Sequence, residues 1–106
     1  MTTPYTLISA MTEMVDIQAE SIVSRTVFED ETVKIVLFGF AAGQSLSEHT
    51  STYPAMLHFI QGEARVTLGE DSHDVKTGAW SHMPPRLPHS IEAQTDVLML
   101  LYMMKG

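Results

Sequence analysis

Cysteine is absent from the 106 residues. No disulfide staples the chain, and no thiolate is on hand as nucleophile or soft metal ligand. That suits a reducing compartment, and the cytoplasm is the expected location. Positive charge is scarce as well: 6 Lys and Arg stand against 13 Asp and Glu, for a formal net charge of −7. Such a surface repels phosphate backbones, which argues against nucleic acid as a partner. Long hydrophobic runs are missing. The longest, Val97 to Met104, falls far short of the roughly 20 residues that span a bilayer, so no membrane partner is expected. Met1 to Met14 contains neither Lys nor Arg nor an apolar block and does not read as a signal peptide. There is no G-x-G-x-x-G or other phosphate-cradling loop and no G-x-S-x-G elbow. No strand shows the inward carboxylate pair that glycoside chemistry needs.

What is present is a set of short β-prone segments. Hydrophobic residues make up 44% of the chain and charged residues 18%, an ordinary globular balance with room for one core. Ser21 to Phe28 is β-branched and aromatic; Glu29-Asp30-Glu31 interrupts it, and Thr32 to Phe40 follows, which predicts a hairpin. Val33, Ile35 and Leu37 fall on one face of the second strand, with Val36 and Phe38 on the other. Because both faces are apolar, the second is expected to lie under another sheet or a second subunit. Further segments run from Ser45 to His49, Ala55 to Gln61, Glu63 to Leu68, His73 to Lys76, Ala79 to Met83, His89 to Gln94 and Val97 to Met104, separated by turn residues. Eight or more short strands with near-regular turns predict an all-β, antiparallel barrel or jelly roll. Residues 16–106 are expected to form that single domain, with residues 1–15 as a short irregular or helical N-terminal arm.

Two stretches combine glycine, histidine and proline at suggestive spacing: GQSLSEHTSTYPAMLHFIQG, from Gly43 to Gly62, and GAWSHMPPRLPH, from Gly78 to His89. On these the chain resembles the cupin superfamily. In the first cupin motif Gly43, His49 and Gly62 match, while Ser51 replaces the second histidine and Ala55 the glutamate. In the second, Gly78, Pro84 and His89 match, Arg86 replaces a glycine and Ala93 an asparagine. The likeness runs from about Asp16 to Lys105 and implies a small, stand-alone barrel of the conserved-barrel type.

In metal-bearing cupins, two histidines and a glutamate of the first motif join the histidine of the second around one divalent ion. The resemblance therefore implies that His49 and His89 meet in the barrel mouth as the catalytic and metal-binding pair. Imidazoles suit iron, manganese, zinc, copper or nickel, so a divalent transition metal of open identity is the implied cofactor. With Ser51 and Ala55 in the other two places, the ion would be weakly held. If Ala55 points inward, the period of two sends His58 outward. Of His82 and Met83 only one faces the lumen, and Met83 is the more natural filler. Ser51, Tyr53, Phe59, Trp80, His82 and Met83 are the candidate walls for a small-molecule ligand. Arg86 stands where the pattern implies positive φ and is a candidate to orient an anionic group at the rim. If the chain is an enzyme, the resemblance implies metal-assisted oxygenation or isomerisation; the alternative is a non-catalytic sensor or binding barrel that has lost its metal site. A homodimer through the outer face of Thr32 to Phe40 is also expected.

Overall fold

The acidic interruption between the first two apolar runs is a turn built by one carboxylate. Asp30 Oδ1 accepts the backbone N–H groups of Thr32 (2.8 Å) and Val33 (2.9 Å) and the Thr32 hydroxyl (3.0 Å). These bonds, the Thr32 N–H foremost, hold the Asp30 carboxyl below its ordinary range. The turn joins strands β1 (Ile22–Glu29) and β2 (Val33–Phe40), which pair antiparallel as the hairpin reading predicts.

A computed structural model describes residues 4–106; Met1 to Thr3, within the expected arm, lie outside the described residues. The remaining strands are β3 (Ser45–His49), β4 (Ala55–Gln61), β5 (Ala64–Leu68), β6 (Asp71–Val75), β7 (Trp80–Met83), β8 (His89–Ala93) and β9 (Val97–Met104). They form a five-stranded sheet in the order β1-β2-β9-β4-β7 and a four-stranded sheet in the order β3-β8-β5-β6. The fold is the antiparallel all-β jelly roll that the strand pattern predicts. Among the described residues, no helix is long and apolar enough to cross a membrane.

The period of two decides what each strand buries. Phe40 of β2, Leu57 and Phe59 of β4 and Val97 and Met99 of β9 meet Val66 of β5 and Ile91 of β8 between the sheets. Burying each such side chain contributes on the order of 1.5–3 kcal/mol. The opposite face of the larger sheet is apolar too, with Leu37, Leu98 and Leu100 buried there. The face of β2 that carries Phe38 lies under the other sheet, one of the two covers that the sequence pattern predicts. The opposite face, that of Ile35 and Leu37, is covered by the chain's own N-terminal segment, with Met11, Met14, Val15 and Ile17 packed on that cluster. Its sole regular element is a 3-10 turn, Met11–Glu13, and Arg25 Nη1 donates to the Met14 carbonyl at 3.1 Å. Gly39 makes the close approach possible, since a Cβ there would sit 3.1 Å from Ile17 and 3.3 Å from Val15.

Gly62 marks the point where the chain leaves the larger sheet at β4 and enters the smaller one at β5. Its φ is +98°, and an added Cβ would collide with the Asp96 carbonyl oxygen. Gly78 has the same φ of +98° but open space around it. Chemical denaturation should therefore show Gly78→Ala losing about 1 kcal/mol from the left-handed backbone alone. Gly62→Ala should lose roughly 3 kcal/mol, strain and collision together. Equal losses would mean that the crossing does not depend on this contact.

Candidate functional site

β3 ends at His49, and β8 begins at His89. The pairing of these two strands sets the residues directly opposite each other, after an irregularity between Leu46 and His49. Their rings lie 4.1 Å apart between centroids and are tilted by 60°. In both rings Nδ1 bonds the carbonyl two residues back along the chain, Ser47 O at 2.8 Å for His49 and Leu87 O at 2.9 Å for His89. A carbonyl oxygen accepts only, so Nδ1 carries the proton in each ring and, in the neutral form, Nε2 carries the free lone pair.

The pair opens onto a cavity of about 370 Å³ at one end of the barrel. Its other walls are the turn Thr50, Ser51, Thr52 and Tyr53, the start of β4 at Ala55, and Leu101 and Met103 near the end of β9. None of the nine lining residues is Asp, Glu, Lys or Arg. His49 is exposed, whereas His89 retains 4% of its surface. Burial, aided by repulsion from His49, pushes the His89 imidazole below its ordinary value, against the opposing pull of the Leu87 carbonyl.

The structure sorts the sequence candidates plainly. His49, Ser51, Tyr53 and His89 come together in one cavity. Phe59 and Met83 point inward but lie outside this lining, sealed in the core at 2% and 1% exposure. Trp80 and His82 do not face the lumen. Residues paired across strands share a face, and they pair with His58 and Met56 while Ser81 and Met83 pair with the inward Leu57 and Ala55. The candidate walls Trp80 and His82 therefore stand on the outer surface, and His58 is outward as expected. Arg86 has the positive φ that its place implied, +66°. Its N–H donates to the Ser51 carbonyl at 2.7 Å, which puts its backbone beside the pocket, while the residue itself is exposed and outside the lining. Thr50, Thr52, Leu101 and Met103 were not singled out from sequence. β9 is apolar on both faces, so its sequence shows no inward phase for the last two; that Met103 reaches the mouth follows from its pairing with Ala55.

The Gly43–Gly62 and Gly78–His89 stretches thus fold onto one pocket, and a family model for the cupin domain matches residues 36–104. The chain belongs to the cupin family. Solved structures similar to this cupin include a conserved protein of unknown function from Streptococcus pyogenes. It is 26% identical, with a TM-score of 0.81 over 100% of this chain and 91% of that one. An RmlC-like cupin from Desulfovibrio desulfuricans is 27% identical, with a TM-score of 0.85 over 95% and 98% of the two chains. Salicylate 1,2-dioxygenase from Pseudoaminobacter salicylatoxidans shares the fold at 14% identity and a TM-score of 0.74, over 83% of this chain and 27% of that one. No curated protein sequence matches.

The donor set does not fit a tightly held divalent ion. Stable sites use three or four protein ligands. Here the two imidazoles share the cavity with Ser51 and Ala55, and no cluster of three or more His, Cys, Asp or Glu fit to hold a metal exists among the described residues.

The lowered His89 value makes a pH prediction. The unfolded chain binds the proton more tightly than the folded one, so stability is full above the ordinary imidazole value of about 6.5 and declines as pH falls from there towards the folded midpoint. Histidine NMR should place the His89 midpoint below 6.5. The acid-side loss of stability should be shallower in His89→Gln. A midpoint at or above 6.5 would show that burial does not govern this ring.

Proposed function

We propose that this cupin binds a small organic molecule in the His49–His89 pocket, held by hydrogen bonds and not by a resident metal ion. One observation carries the reading. The four positions that the cupin motifs assign to ligands converge on one cavity, yet only His49 and His89 carry the side chain that the pattern calls for, with Ser51 and Ala55 at the other two. A pocket of this volume, apolar on the β9 side and polar along the Thr50 to Tyr53 turn, has the make-up of a small-molecule site. His89 is kept neutral at neutral pH by its burial, so it can accept a hydrogen bond or a proton from a bound hydroxyl. Proton transfer is the chemistry that the residues of this pocket can supply by themselves.

Restoring the missing donors tests this reading. Wild-type protein dialysed against Zn(II) or Mn(II) and then desalted should retain little metal by elemental analysis. Ser51→His combined with Ala55→Glu should retain about one ion per chain, because a four-donor set is then complete. Stoichiometric metal on the wild type would overturn the metal-free reading.

We also propose that the protein is a homodimer. The outer face of the smaller sheet is polar, with Ser45, Glu92, Arg65 and Asp74 in one paired row. The outer face of the larger sheet is largely apolar. Its own arm covers the part over β2, whereas Trp80 beyond it, paired with His58, stays 59% exposed. A second copy on that uncovered end is the arrangement that would shield it. Light scattering at micromolar concentration should give twice the chain mass, and Trp80→Glu should give the monomer. A monomeric wild type would remove the proposal.

A further inference from the structure

The pocket's hydrogen-bonding pattern is specific enough to name a ligand class. With both Nδ1 atoms donating to Ser47 O and Leu87 O, the two imidazoles in their neutral form present two acceptors side by side. Neither Nε2 has a protein partner among the described residues. His89 is 4% exposed, yet its Nε2 is not among the sealed, unpartnered atoms, so its remaining opening is towards the cavity. A ligand that satisfies both rings must bring two adjacent donors.

Charge narrows the choice. An anion would enter a lining without Lys or Arg, in a protein whose net charge is −7, and an organic cation would find no carboxylate. Taking either from water without a counter-charge is costly. A neutral ligand avoids that penalty. The facing wall offers hydroxyls, which both give and accept hydrogen bonds. One of them, Ser51 Oγ, already accepts the Tyr53 N–H at 3.2 Å, leaving its own hydrogen to donate. Ala55, Leu101 and Met103 supply an apolar side for a carbon skeleton.

Resting on the reading that this pocket binds a small organic molecule, we propose that its ligand is an uncharged vicinal diol, whose neighbouring hydroxyls donate to Nε2 of His49 and of His89. A sugar and a catechol share this chemistry. Ribose and catechol are therefore the probes, with methyl 2-deoxyribofuranoside, whose hydroxyls are not neighbours, and resorcinol as partners lacking a vicinal pair, and benzoate and Zn(II) as charged probes. The readout is the Nε2 resonances of the two histidines in long-range ¹H–¹⁵N spectra.

Ribose or catechol should move both resonances, at least tenfold more tightly than its matched partner. Whichever binds identifies the source of the diol. His49→Ala, at an exposed position with little bearing on the core, should abolish the effect. Movement with Zn(II) alone would overturn both readings, whereas movement with benzoate but with neither diol would overturn the diol while leaving the pocket reading intact. Equal affinity for a diol and its matched partner would do the same. Silence towards every probe would overturn both.

Discussion

Face-to-face burial of two antiparallel sheets is the constraint from which the rest of this molecule follows. Phe40, Leu57, Phe59 and Met99 from one sheet and Val66 and Ile91 from the other must meet, which fixes the phase of every strand that carries them. Once that phase is set, Ala55 faces in and His58 faces out, Met83 faces in and His82 faces out. A slip of one residue would exchange the members of each pair, so the pocket lining is a by-product of core packing.

The smaller sheet adds the second condition. β3 and β8 are distant in sequence but adjacent in space, and their register brings His49 to His89. Each histidine stands at the end of a strand, and the strand pairing sets the two opposite each other. At two of the places where the family pattern carries metal donors this chain has Ser51 and Ala55, small residues that line the same cavity.

Much of this was legible in the residues. Most strand limits, the first hairpin and the outward turn of His58 follow from period and turn chemistry, and the positive φ at Arg86 from the cupin resemblance; β6 is the exception, starting at Asp71 and not His73. The arm over Leu37 and Leu100 was not, because an apolar outer face tells only that something covers it. Trp80 misled for a related reason. Aromatic residues are usually buried, yet β7 is a four-residue edge strand whose inward places go to Ser81 and Met83. Phe59 was correctly placed inside, but depth along the strand separates a core residue from a pocket residue, and depth depends on pairings that a single sequence does not display.

The carbonyls behind the two histidines have a wider consequence. Ser47 and Leu87 each lie two residues before the ring they hold, so the aim of each imidazole is encoded within its own tripeptide. No residue across the cavity is needed to steer it. Substitutions on the facing wall can therefore redefine what the cavity accepts while the two nitrogens keep their bearing, which makes this end of the barrel a rewritable surface mounted on an unchanging pair of anchors.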